Sequence, residues 1–310
     1  MDVMILAGGL SHERDVSVRS GRRVQEALKS SGHRATLHDV DASLIPALRE
    51  LSDGVVWPLL HGSSGEDGSL QALLELVGVP FVGTASKEAR VAWTKPVAKA
   101  VISRAGVHTP DFVTLPQSLF REVGAEHVLD AIAAKFAFPL VVKPARGGSA
   151  LGVSLVDSRE HLSRAMVHCF AYGDMALVET AVEGTEVAVS IIGTGDQAQA
   201  LPAVEIVCEG PYDYDARYNA GRVEYFVPAR LDPAAAAVVE EAALTVHRTL
   251  GMRDLSRVDI ILDAAGNAQV LDINIAPGMT ETSLFPQAVE AAGRDLGDVY
   301  HEIAQQALGR

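Results

Sequence analysis

The stretch 256–280, SRVDIILDAAGNAQVLDINIAPGMT, constrains this chain more than any other. It reads as a β-hairpin. Two apolar-rich runs flank Ala264-Ala265-Gly266-Asn267, a four-residue turn whose Gly and Asn tolerate positive φ. Centring the turn between Ala265 and Gly266 sets Asp259 opposite Asp272 and Arg257 opposite Asn274. Side chains alternate along a strand. One face is then Val258, Ile260, Leu262, Leu271, Ile273 and Ile275, and the other carries Arg257, Asp259, Asp272 and Asn274. Carboxylates directly opposite on a sheet repel each other. A hard divalent cation such as Mg²⁺ would offset that repulsion, because it is held by carboxylate and amide oxygens, water and substrate phosphates. A polar outer face that happens to hold two acids is the alternative. The tail Ala276-Pro277-Gly278-Met279 ends the strand and leaves backbone N–H groups beside the acids.

Strands and helices alternate before this hairpin. Residues 3–6 form a strand ending in Ala7-Gly8-Gly9, and a helical pattern over 11–32 follows. Further strands are expected at 33–40, 54–60 and 80–83, with helices at 42–51 and 70–77. Such alternation implies a parallel sheet with helices on both faces, spanning residues 1–91 as an N-terminal α/β domain. Neither GxxxxGK[ST] nor GxGxxG occurs. Ligands of such sheets lie at the carboxyl ends of the strands. Glu13 and His61 both follow strand ends and can share one crevice, although a cap or loop role suits each equally.

Residues 92–181 read as a central α+β domain. A helix over 92–105 carries Lys95. The buried-looking strand FPLVVKP places Lys143 at its end, and the glycine-rich loop ARGGSALG (145–152) suits a flap donating backbone N–H groups to phosphates. A glycine-rich hairpin without a ligand is the other reading. Residues 182–310 make a C-terminal α+β domain with antiparallel strands at 186–192 and 200–207. A long polar loop over 208–226 holds four of the six tyrosines; loops of that length serve as lids or are disordered.

Composition narrows the function. The net charge of −14 over 310 residues disfavours nucleic-acid backbones and anionic membranes as partners. Two cysteines without a CxxC spacing suit free thiols in a reducing compartment, hence the cytoplasm. The N-terminus enters a strand without a basic region or cleavage site, and no apolar run nears the ~20 residues of a membrane span. Only six of the 26 basic residues are lysine, so each retained lysine is informative.

Two lysines, a glycine flap, a carboxylate pair with Asn and a Tyr-rich loop together suit a nucleoside triphosphate with Mg²⁺, held without a P-loop. Their order resembles the ATP-grasp superfamily. More closely, LAGGLSHERDVS, LHGSSGEDGSLQ, VVKPARGGSALG, PYDYDARY, SRVDIILD and INIAPGMTETS, in this order and nearly end to end, resemble the D-alanine–D-alanine ligase family. The resemblance implies a three-domain ATP-grasp fold and ATP-dependent joining of two D-alanines through an acyl phosphate. It implies ATP as co-substrate, two Mg²⁺ ions (or Mn²⁺), a role in peptidoglycan precursor synthesis, and a homodimer. Residue by residue, it implies that Glu13 pairs with the first substrate's ammonium and His61 lies near its carboxylate. Lys95, Lys143 and Arg217 would contact ATP phosphates, Glu179 the adenine amino group, and Glu186 the ribose. Asp259, Asp272 and Asn274 would hold the metal. Ser149 and Tyr218 would close over Glu13, Tyr212 and Ser283 would seat the second D-alanine, and Arg257 with the Gly278 N–H would stabilise the oxyanion. Tyr218 would favour a dipeptide over a depsipeptide product.

The chain departs from the family pattern in four places. Gly147 stands where Glu is usual, Arg217 where Lys is usual, Asp272 where Glu is usual, and Thr180-Ala181 where Lys-Trp is usual. These bear on nucleotide and metal binding more than on the reaction class. A related ligase for other D-amino acids, or a nucleotide-binding homologue without turnover, remain the alternative readings.

Overall fold

The computed structural model describes residues 1–208 and 223–310. Three sheets are built from it. The first is parallel: β1 (Asp2–Leu6) lies between β2 (Arg34–His38) and β3 (Gly54–Pro58). The expected strand at 80–83 is a single bridge, Val56 to Phe81, because Gly83 turns the chain away at φ +105°. The second sheet is antiparallel, in the order β4 (Phe112–Pro116), β7 (Met175–Thr180), β5 (Leu140–Pro144), β6 (Ser154–Val156). Its β4 had no counterpart in the sequence reading.

The third sheet runs β11 (Val223–Phe226), β10 (Val204–Cys208), β8 (Gly184–Ile192), β12 (Leu255–Asp263), β13 (Ala268–Asn274), with the short β9 (Gln199–Ala200) on β8. β11 falls within the stretch expected to be loop. Val223 and Tyr225 alternate with Glu224 and pack on the core, which is the period-2 pattern of a strand.

The cores do not follow the sequence intervals. Helix Leu296–Leu308 buries Val299, Tyr300 and Ile303 against Val3, Ile5 and Trp57 of the first sheet. Trp57 and Tyr300 meet edge to face, with ring centres 5.4 Å apart. The expected single helix at 92–105 is two, Ser86–Trp93 and Lys95–Arg104, broken at Thr94 where ψ is 88°. Pro96 explains the break: it has no N–H to bond the carbonyl four residues back and its ring clashes there, so it fits only a first helical turn. Both helices contribute to the core on the third sheet, through Ala89, Ala92, Ala98 and Ile102.

The β12–β13 hairpin forms as expected at its open end, with Arg257 opposite Asn274 and Asp259 opposite Asp272. The register then shifts. Ile260 pairs with Val270 and Leu262 with Ala268, so Leu271 is a bulge residue. The shift replaces Leu271 by Val270 in the buried face; Val270 is 1% exposed in the core, while Leu271 turns to a cavity. The turn is tighter than expected. Asp263 Oδ1 accepts from the N–H groups of Ala265 and Asn267, and Gly266 takes φ +83°.

The bulge therefore separates two roles that adjacent residues would otherwise share. Val270→Ala is expected to cost about 2 kcal/mol and lower the urea midpoint. Leu271→Ala should leave that midpoint near wild type while weakening nucleotide binding; equal stability losses would contradict the register.

Candidate active site

A cavity of about 230 Å³ opens between the second and third sheets. Its apolar walls are Val141, Val153 and Leu155 on one side and Ile261 and Leu271 on the other, with Ala181 and Val182 at one end. Leu155 is 65% exposed where it lines the cavity. Lys95, Lys143, Glu179, Glu186, Asp259 and Asp272 line the same cavity. The structure thus brings together all of the sequence-predicted nucleotide and metal residues except Arg217, which lies outside the described residues, and Asn274, which is next to the lining in β13.

Lysine and carboxylate are paired throughout. Lys143 ends β5, and its Nζ sits 2.5 Å from Glu179 Oε1 and donates to the Leu271 carbonyl at 3.1 Å. The bulge is what presents that carbonyl. Lys99, which the sequence reading left without a role, donates to Glu179 Oε2 at 2.7 Å. Burial alone would raise the pKa of Glu179, but Lys143 and Lys99 together bring it below the ordinary carboxylate range. Burial brings Lys99 down to about 8, with Glu179 opposing the fall. A sequence signal for Lys99 existed: it lies one helical turn beyond Lys95 in a chain that seldom uses lysine.

The opposed carboxylates have partners in the protein itself. Arg257 forks onto Asp259, Nε to Oδ1 at 2.6 Å and Nη2 to Oδ2 at 2.9 Å, and both residues are buried. Lys95, the first residue of its helix, reaches Asp272 Oδ1 at 2.5 Å. The repulsion that seemed to require a metal is offset by these two cations. Among the described residues no three His, Cys, Asp or Glu side chains gather as a metal cluster. The donor set still fits a hard cation on two grounds. Asp259, Asp272 and Asn274 put oxygens on one face. In addition, Lys95 pairs with Asp272, Arg257 with Asp259, and Lys99 and Lys143 share Glu179, so each of these cations already faces a carboxylate. A triphosphate would add negative charge beside these carboxylates, which a divalent cation held by Asp259, Asp272 and Asn274 would offset.

A second pocket of polar groups sits where the flap meets the first sheet. Glu13 stands at the N-terminal end of helix Arg14–Ser30 and is 4% exposed. It accepts a hydrogen bond from the Ser149 hydroxyl. The flap holds Ser149 and Ala150 in left-handed backbone, φ +50° and +56°, which costs energy in residues with a Cβ. Gly147 has φ +145°, a conformation that the usual Glu would adopt only under strain. Gly62 leaves room for Glu13: a Cβ there would lie 2.2 Å from Glu13 Oε2.

Glu66, the acid of the GEDG run, was not singled out from the sequence. It is buried beside Glu13 and accepts from the Gly62 N–H at 2.7 Å. Among the described residues no cation lies within ion-pairing distance of it. Burial first, and Glu13 second, push its pKa up to about 8.

His61 is buried, and burial pushes it down to about 4, so it is neutral at pH 7. Its Nδ1 lies 3.1 Å from the Ala276 carbonyl and its Nε2 3.3 Å from Ser20 Oγ. Ser20 Oγ in turn accepts from the Met279 N–H. His61 therefore ties the first sheet to the hairpin tail. Ser283 begins helix Leu284–Ala291, and its Oγ accepts from the Thr280 N–H at 2.9 Å. Gly278 packs on that hydroxyl: a Cβ would lie 2.8 Å from it. Tyr212 and Tyr218 lie outside the described residues. Among the described residues no helix is long and apolar enough to cross a membrane.

A cavity between two antiparallel sheets, with a glycine flap and no P-loop, is the architecture of an ATP-grasp ligase. The family model of the D-ala D-ala ligase C-terminus matches residues 101–305, and that of the N-terminus matches residues 43–84. A D-alanine–D-alanine ligase of Pelotomaculum thermopropionicum is 35% identical over 99% of this chain and 97% of its own length. Two solved structures superpose on nearly the whole chain. The VanG D-Ala:D-Ser ligase of Enterococcus faecalis has TM-score 0.84 and 26% identity over 99% of both chains. The D-alanine–D-alanine ligase of Bacillus anthracis has TM-score 0.80 and 25% identity over 100% of this chain and 98% of its own. The chain belongs to the D-alanine–D-alanine ligase family and is an enzyme of the ligase class.

Glu66 gives a pH test of the buried acid pair. Its folded pKa of about 8 lies above its unfolded value of about 4.3. The folded state holds the proton between those values, so stability falls as pH rises through that window. Glu66→Gln keeps an acceptor for Gly62 and removes the ionisation. Its apparent Tm should exceed that of wild type at pH 9, and the gap should close by pH 5. A gap independent of pH would contradict the shift.

Proposed function

We propose that this enzyme joins two D-alanine molecules at the expense of ATP and supplies the dipeptide for peptidoglycan precursors. One observation carries the reading: the lysines and the carboxylate pair of the hairpin line one cavity, and the glycine flap over that cavity reaches through Ser149 to Glu13. Near-full-length similarity to D-alanine–D-alanine ligases supports it.

On this reading adenine lies between Leu155 and Leu271, with its amino group toward Glu179 and the ribose toward Glu186. Lys95, Lys143 and Arg217 neutralise phosphate charge. Asp259, Asp272 and Asn274 hold Mg²⁺, which when bound offsets charge on the transferring phosphoryl group. Glu13 holds the ammonium of the first D-alanine, closed over by Ser149 and Tyr218. His61 is neutral and doubly bonded, so it orients the crevice rather than supplying charge. The first substrate's carboxylate oxygen attacks the γ-phosphorus of ATP, the bond from that phosphorus to the bridging oxygen breaks, and ADP leaves as the acyl phosphate forms. The amine of the second D-alanine, seated by Tyr212 and Ser283, attacks the acyl carbon and expels phosphate. Arg257 and the Gly278 N–H stabilise the oxyanion. Acyl phosphates hydrolyse, which gives a flap that excludes water its purpose.

The site is read as cytoplasmic, where ATP is available, and the protein as a homodimer by its resemblance to the family. The acceptor is the point at which a second reading enters. One structural neighbour is titled a D-Ala:D-Ser ligase, so this fold also serves another acceptor.

Incubation with ATP, Mg²⁺ and a panel of D- and L-amino acids plus D-lactate should release ADP and give D-alanyl-D-alanine as the main product by mass. A dominant D-Ala-D-Ser or other product would move the protein to the second reading. Arg257→Ala should lower kcat by about 10² or more while nucleotide binding is largely kept; loss of both together would contradict the oxyanion role. Tyr218→Phe should raise the share of hydroxyl acceptor used when D-lactate competes with D-alanine.

A further inference from the structure

Glu179 is gripped from two sides by groups that are themselves buried. Lys143 takes Oε1 and Lys99 takes Oε2; exposure is 7%, 3% and 2% for Lys143, Lys99 and Glu179. The two lysines are not equivalent. Lys143 lines the nucleotide cavity, at the flap end of β5. Lys99 lies outside that cavity, in helix Lys95–Arg104, with its ammonium 5.1 Å from the centre of the Phe112 ring. Each Glu179 oxygen already accepts from a lysine. Each oxygen keeps a further lone pair that a base edge can reach, and of the two lysines Lys143 is the one that lines the nucleotide cavity.

We propose that Lys99 is a positioning residue: it stays on Glu179 as a fixed counter-ion when a triphosphate draws Lys143 away, and so keeps the nucleotide site selective for a 6-amino over a 6-oxo purine. This rests on the reading of the cavity as an ATP site. The chemistry is that of acceptor against donor. An ionised carboxylate only accepts, which suits an amino group and repels a carbonyl oxygen. A buried carboxylate with no cation beside it takes up a proton instead. It can then donate to the 6-oxo group. Without Lys99 the site has two poor choices. Lys143 stays on Glu179 and is lost to the phosphates, or it leaves and Glu179 becomes neutral.

Calorimetric titration of the full-length protein with ATP and with GTP, in the presence of Mg²⁺, tests this alongside steady-state kinetics with D-alanine. Lys99→Met should raise the Kd and KM for ATP at least tenfold, cut the ATP-over-GTP preference at least tenfold, and leave the KM for the first D-alanine within a factor of about two. Lys99→Arg should restore most of the preference. In a Glu179→Gln background, adding Lys99→Met should change ATP affinity by less than twofold, because the two residues act as a unit. Wild-type values for ATP affinity and base preference in Lys99→Met would overturn the proposal. So would a fall in kcat alone, or an equal effect of Lys99→Met with and without Glu179. Should Lys99→Met fail to fold, comparison of Glu179→Gln with the double variant, both of which leave Lys143 without its carboxylate, decides: a further loss of ATP affinity in the double variant overturns it. Wild-type protein that binds ATP but turns over no amino acid would sink the ligase reading and leave the Lys99 test standing.

Discussion

Asp259 and Asp272 face each other across one hairpin, and the architecture around them is arranged to make that tolerable. Arg257 comes from the same strand, two residues before Asp259, and so shares its face. Lys95 comes from a helix more than 170 residues earlier in the chain. It can reach Asp272 because Thr94 and Pro96 restart the helix at Lys95. A continuous helix would have left that ammonium in mid-helix. The carboxylate pair therefore depends on how the third sheet and the Lys95 helix pack.

A second dependence runs through the bulge after Asp259. Without it, Leu271 would point into the core and its carbonyl would stay in the ladder. With it, the side chain walls the cavity between the second and third sheets and the carbonyl receives Lys143. Bulges beside active sites redirect single residues in this way at small cost to the sheet. The crevice is closed at its other end by contacts between distant segments: Ser149 on Glu13, His61 between Ser20 and Ala276, and Met279 on Ser20. The last helix shares its core with the first sheet, so these contacts rest on a common hydrophobic support.

Much of the site was legible because the side chains that carry the chemistry recur in a strict order, and because local pairing of the hairpin puts Asp259 against Asp272. The apolar walls were not legible. Val141, Val153 and Leu155 look like ordinary strand residues until two sheets are set face to face. Glu66 and Lys99 were passed over for a related reason. An acid in a loop and a lysine on a helix read as solvated, and only burial changes their chemistry. The stretch 223–226 was taken for loop because its four residues are too few for a period-2 signal to stand out beside a long polar run.

The chain's amino-acid order by itself determined the family, the reaction class, the alternation of strands and helices, and the register at the open end of the hairpin, since these depend on neighbours in sequence and on motif order. Tertiary structure alone decided which lysine meets which carboxylate, that Leu271 and not Val270 faces the nucleotide cavity, that His61 is neutral, and that the first sheet and the last helix share a core. Ion-pair choice, pKa and burial are set by what lies within a few ångströms in space, and for these residues the nearest partners are scores of positions away along the chain.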